Sequence, residues 1–272
     1  MKYLRISVFI AFLIVFALFI VYEDYLARRT DTSYPEILFE TDTIELPVTA
    51  TDADLLVGVT AYDRKDGDIT SRVIVEAISN FSEPGIATVT YAAVDNDNHA
   101  VKARRTLVYT DYAPPRFTFA SDMRFNAGGK FNLLDLIGAT DLIDGNISPK
   151  VKLISSELNA SVPGVYQCQA QVTNSKGDVS YLEFNVTITQ AADVSLDVEL
   201  TDYLIYLHVG DSFMPGNYYK ATLQYGNPVE LGFPRIENGV STKAPGAYKA
   251  YYYQETADGA QGVAELLVIV ED

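Results

Sequence analysis

Most of the chemistry open to this 272-residue sequence would have to come from carboxylates. Asp63, Asp66 and Asp68 fall in one block, Asp63-Arg-Lys-Asp-Gly-Asp68, and Asp95 and Asp97 follow in Asp95-Asn-Asp-Asn98. A second block, Asp141-Leu-Ile-Asp-Gly-Asn146, is followed by Asn174 and Asp178. Hard carboxylate and amide oxygens are what calcium prefers. If the first block and its later turn share one end of a domain, Asp63, Asp66, Asp68, Asp95 and Asp97 converge there as a candidate calcium site. The competing reading is a set of turns whose aspartates bond nearby backbone amides, and it is preferred because no EF-hand spacing is present.

Other chemistries have little to work with. There is one cysteine, Cys168, and there are two histidines, His99 and His208, far apart in the chain. A disulfide, a cysteine zinc cluster and a histidine-based triad are therefore not expected. No phosphate-binding loop, dinucleotide fingerprint, nucleophile elbow or His-Glu-x-x-His occurs. No catalytic residues and no cofactor other than possible calcium are expected. A carboxylate enzyme in the C-terminal third is the weakest function class considered. The net charge of −16 repels phosphate backbones and argues against nucleic acid.

Aromatic residues offer a second kind of contact, with 19 Tyr and 13 Phe but no Trp. In Tyr248-Lys-Ala-Tyr-Tyr-Tyr253, strand alternation places Tyr248, Ala250 and Tyr252 inward and Tyr251 and Tyr253 outward on one face. Tyr251 and Tyr253 are thus candidate ligand contacts, able to stack on a sugar or on an apolar group of a partner. Tyrosine is also an ordinary strand residue.

A threefold repeat must position these groups. Pro-Gly steps recur at Pro84, Pro163 and Pro245, intervals of 79 and 82 residues. Behind each step runs a strand of period two. Ala87, Val89, Tyr91 and Ala93 face inward in the first copy, and Tyr166, Cys168, Ala170 and Val172 in the second. Cys168 is therefore expected as a small buried hydrophobe. Turns follow at fixed offsets: Asp95, Asn174 and Thr256, then Asn98, Gly177 and Gly259. A closing strand ends each copy. Tyr112-Ala-Pro-Pro115 reads as a stiff junction and Gln190-Ala-Ala-Asp193 as a softer one.

The pattern Asp-x-x-Asp-Gly-Asp-Ile-Thr, then Pro-Gly, a Tyr-bearing strand, an Asp/Asn turn and an Ala-Pro linker, resembles a known bacterial repeat. This is the Ig-like domain first named from a pesticidal crystal protein and widespread on Gram-positive surfaces. The resemblance is close over residues 35–117 and good over 118–190. In the third copy only the Pro-Gly strand and closing hairpin remain. It implies an extracellular sandwich, often in tandem, with no catalytic residues to carry over. Asp95–Asn98 also resembles the calcium linker of cadherins, but its continuation, Ala113–Phe117, lies a whole strand away, and that reading is rejected.

Ahead of the repeats, Ile6–Tyr22 is apolar except for Ser7 and as a helix would reach roughly 25 Å, near the lower limit for a bilayer core. It exceeds a typical signal-peptide core and lacks a small-x-small cleavage site, which favours an uncleaved anchor over a cleaved signal. The chain thus reads as all-β, three tandem immunoglobulin-like sandwiches behind one transmembrane helix. The segments are 1–30 for the anchor and linker, 31–112, 113–191, and a diverged 192–272. The expected role is a single-pass cell-membrane protein with extracellular domains, a non-catalytic binding or adhesion module for a cell-wall component or surface protein. A purely structural stalk is the alternative.

Overall fold

The computed structural model describes residues 2–29, 33–190 and 196–272. They divide into two compact units, Met1–Asp111 and Tyr112–Asp272. The softer junction expected at Gln190–Asp193 falls mostly on 191–195, outside the described residues.

The first unit opens with one helix, Lys2–Arg29. Its window Ile6–Leu26 has a mean hydropathy of 2.6, and none of it is buried against protein. Such an all-round apolar helix is long enough to cross a membrane, and a secretory signal has the same character. The rest of the unit is a β-sandwich. A three-stranded sheet runs Glu36–Phe39, Val59–Asp63, Gly67–Asp68 in spatial order, and a four-stranded sheet runs Thr43–Leu46, Ala100–Tyr109, Ile86–Val94, Ile74–Ile78. Among the described residues of this unit only the Thr43–Leu46 pairing is parallel.

The second unit holds two more sandwiches of the same design. Arg116–Phe119, Ile137–Asp141 and Gly145–Asn146 face Arg124–Asn126, Val179–Thr189, Gly164–Thr173 and Lys152–Ser156. Leu196–Leu200, Tyr219–Gln224 and Asn227–Pro228 face Leu204–His208, Gln261–Glu271, Gly246–Glu255 and Arg235–Asn238. The protein is thus all-β, three tandem immunoglobulin-like sandwiches behind one N-terminal apolar helix.

The alternation read in the sequence builds all three cores. Val89, Tyr91, Ala170, Val172, Ala250 and Tyr252 are each at most 1% exposed, while the residues between them are half-exposed. Cys168 is 1% exposed, its Sγ 3.4 Å from Ser156 Oγ. The turn closing each long hairpin needs a left-handed residue, which Asn98 (φ 67°), Gly177 (φ 84°) and Gly259 (φ 92°) supply. The Pro-Gly step has a partner as well. In the second and third copies Tyr166 and Tyr248 lie against Gly164 and Gly246 and donate to the carbonyls of Val162 (2.9 Å) and Ala244 (3.1 Å). A Cβ on either glycine would meet its tyrosine ring at 3.4 Å.

Candidate functional site

The aspartates of the first block are spent on backbone donors. Asp63, 1% exposed, accepts the amides of Lys65 and Asp66, both at 2.8 Å. Asp68 accepts the Thr70 amide at 2.8 Å, and that amide, followed by the Thr70 hydroxyl, holds its carboxyl below the usual range. Asp66 reaches across to the other turn and accepts the Asn96 amide (2.7 Å) and Nδ2 (2.9 Å). Asp95 accepts the amides of Asp97 and His99 and pairs with His99 Nδ1 at 2.7 Å. Burial opposes its ionisation, but the His99 amide and ring and the Asp97 amide outweigh that and hold the carboxyl low. Asp97 pairs with Lys65. The five candidate ligands therefore share one end of the sandwich, each facing protein donors. Among the described residues no group of three or more such side chains is placed to hold a metal ion.

The second copy repeats the arrangement. Asp141 accepts the amides of Ile143 and Asp144, and Asn146 that of Ser148. Asp144 accepts the Ser175 amide at 2.7 Å and Lys150 at 2.8 Å. Asn174 accepts the amides of Lys176 and Asp178 and donates to Asp141 at 3.1 Å. Tyr112 donates to Asp178, and its burial followed by that carboxylate pushes the phenol up. The third sandwich has a two-residue turn in place of the block, Tyr225-Gly226, both left-handed (φ 52° and 77°).

Within the second unit the two sandwiches share core. Leu204 and Leu267 of the third are buried in the core cluster of the second, with Tyr203, Tyr206 and Ile269 packed against it. Arg116 lies 5.0 Å from the Tyr206 ring centre and pairs with Glu271 at 2.6 Å. Asp122 accepts the Glu265 amide at 3.2 Å across the same junction. Burial, then the Glu265 charge, pushes Asp122 up to about 8. Glu265 pairs with Lys249 at 2.7 Å. The space beside Asp122 and Glu265 is only about 10 Å³, the size of one water at most.

The two outward tyrosines of the third sandwich differ in their surroundings. Both point away from the third core yet are half-buried. Tyr251 bonds Glu265, and burial followed by that charge raises its phenol to about 12. Tyr253 instead lines a groove of about 760 Å³ bordered by Arg124 and Asn126 of the second sandwich and by Asp197, Arg235 and Gln261 of the third. Arg235 stacks on Tyr253 at 4.2 Å. Gly262 forms part of the floor, where a Cβ would sit 2.6 Å from the Leu196 carbonyl oxygen. Arg124, Arg235 and Asp122 escaped the sequence reading because nothing local marks them. The outward placement of Tyr253 was legible from its alternation.

Residues 52–108 match the family described as "Bacterial surface protein, Ig-like domain". The chain matches a bacterial Ig-like surface repeat. It is similar to pesticidal crystal protein Cry22Aa of Bacillus thuringiensis, 28% identical over 258 residues, which are 88% of this chain and 34% of that protein. The chain therefore spans about a third of the relative. Among solved structures it is similar to the CBM51-2 and INT domains of Clostridium perfringens ZmpB in complex with GlcNAc. Identity there is 23%, over 54% of this chain and 26% of that one, at a TM-score of 0.23. Human CDH23 EC21-23 is 12% identical, over 87% of this chain and 100% of that one, at a TM-score of 0.22.

Two outcomes are expected. Replacing Asp66 by Ala strands the Asn96 amide and should cost about 1–3 kcal/mol in equilibrium unfolding, equally in chelator and in calcium. A loss seen only in calcium would make the cluster a cation site. Asp122 has a folded pKa raised above its unfolded value near 3.8, so its contribution is full below pH 4 and is lost as pH rises through about 8. Relative to Asp122→Asn, the wild-type melting temperature should therefore fall steadily from pH 4 to pH 8. A constant difference would show that Asp122 ionises freely at the junction.

Proposed function

We propose that this protein is a non-catalytic surface binding module whose recognition unit is the docked pair of second and third sandwiches. The observation that carries the reading is the groove at their junction, where Tyr253 and Arg235 from one sandwich meet Arg124 from the other. An aromatic ring, two guanidiniums and planar amides lining one groove are the groups that recognition sites concentrate. The match to a bacterial surface Ig-like domain supports display at the cell surface. The apolar helix supports a membrane anchor, with the sandwiches outside the cell. The paired carboxylates at Asp122 and Glu265 have no room beside them for a substrate, which favours binding over hydrolysis.

The test is binding of the detergent-solubilised chain to isolated bacterial cell wall. Tyr253→Ser should weaken it by about 1–3 kcal/mol with an unchanged melting temperature. Tyr251→Ser should lower the melting temperature, because that half-buried ring packs opposite Glu265 and beside Tyr253. A folded Tyr253→Ser protein that binds like wild type would move the contact surface elsewhere, and a chain that never binds would favour a spacer. Protease added to intact cells should remove the sandwiches and leave a small membrane stub. Sandwiches protected until lysis would place them on the inner side.

A further inference from the structure

Two cations in the groove lack an anion. Among the described residues neither Arg124 nor Arg235 lies within ion-pair or hydrogen-bond distance of a carboxylate; the Arg235 guanidinium stacks on Tyr253, whose phenol is the group that Glu237 acts on. Among the described residues Lys65, Arg72, Lys102, Arg116, Lys150, Lys220 and Lys249 each pair with a carboxylate, whereas Arg64, Arg104, Lys130, Lys152 and Lys243, like the groove's two arginines, do not. What sets Arg124 and Arg235 apart is that both border one groove beside an aromatic ring. The acids of the groove are placed otherwise: Glu255 accepts from Gln261 at 3.2 Å, and Asp197 is exposed. Asp122 lies near enough to Arg124 to feel its charge but forms no hydrogen bond or ion pair with it, and burial, then the Glu265 charge, holds the Asp122 carboxyl above the usual range.

Resting on the binding-module reading above, we propose that the groove takes an anionic saccharide, a sugar bearing a carboxylate or a phosphate, with the acid held between Arg124 and Arg235. Guanidinium forks match both oxyanions bidentately. The amides of Asn126 and Gln261 and the ring edge of Tyr253 suit the hydroxyls of the same sugar. A peptide partner would seek an apolar anchor pocket, and the apolar lining here is Leu196 and Val263, the first of them 4% exposed. At physiological salt the Debye length is about 8 Å, so the distant acids of the chain repel the ligand little.

The experiment uses the full chain in nanodiscs of zwitterionic lipid, titrated at 0.15 M salt (an ionic strength of about that value) with three probes. These are an oligogalacturonate, mannose 6-phosphate and neutral maltotriose, with acetate and inorganic phosphate as sugar-free controls. At least one charged sugar should bind tenfold or more tightly than maltotriose and than its sugar-free anion, and which one binds identifies the acid. Arg124→Gln and Arg235→Gln should each remove about tenfold of that preference, and Arg124→Lys should restore part of it. Melting temperatures report folding, and if one Gln variant fails to fold the other still decides. Equal affinity for maltotriose, or an unchanged preference in folded Gln variants, would overturn the anion inference. Cell-wall binding that depends on Tyr253 while no charged sugar binds would also overturn it and leave the binding-module reading standing. Loss of cell-wall binding altogether would sink that broader reading instead.

Discussion

Everything in this molecule hangs on one constraint, the burial of every second side chain along a long antiparallel hairpin. Ile86–Val94 with Ala100–Tyr109, Gly164–Thr173 with Val179–Thr189, and Gly246–Glu255 with Gln261–Glu271 are the longest pairings in their sandwiches. A one-residue slip would turn Tyr91 or Tyr252 into solvent and their neighbours into the core. The left-handed residue at each hairpin tip fixes the register against that slip. Shorter strands then pair against the hairpin or pack across it.

The acidic blocks solve a problem that this architecture creates. Tight loops at the end of a sandwich leave amides without strand partners, and a buried unpaired amide is costly. Asp63 and Asp141 satisfy two such amides each, while Asp66 and Asp144 tie one loop to the neighbouring hairpin. Glycine at Gly67 and Gly145, with φ of 74° and 69°, lets the chain turn between them. The third sandwich closes its hairpin through the Thr256 side chain, which accepts the Ala260 amide at 2.9 Å, and needs no clamp. A shorter turn, Tyr225-Gly226, has fewer amides to satisfy.

The third sandwich contributes Leu204, Leu267, Tyr203, Tyr206 and Ile269 to a junction with the second. Hydrophobic burial by Leu204 and Leu267 draws the second and third sandwiches together, and the polar groups caught between them divide into two kinds. Asp122 accepts the Glu265 amide and Glu265 pairs with Lys249 opposite Tyr251, whereas Arg124, Arg235 and Tyr253 border open space. The same docking thus buries the Asp122 carboxyl against the Glu265 amide and, beside it, leaves a groove assembled from both partners.

The sequence by itself determined what depends on neighbours along the chain. Period-two alternation located the core strands and buried Cys168, the Pro-Gly and Asp-Gly-Asp steps marked the turns, and the apolar run marked the helix. It also set Tyr251 and Tyr253 on one outward face. Only the tertiary structure decided that Tyr251 closes against Glu265 while Tyr253 opens to the groove, and that Asp66 serves the Asn96 amide. Asp66 and Asn96 are 30 residues apart, and at the junction Asp122 meets Glu265 143 residues away and Arg116 meets Glu271 155 away. Local periodicity carries no information about such pairs, because the free energy that forms them comes from docking whole apolar faces, not from the propensity of any one segment.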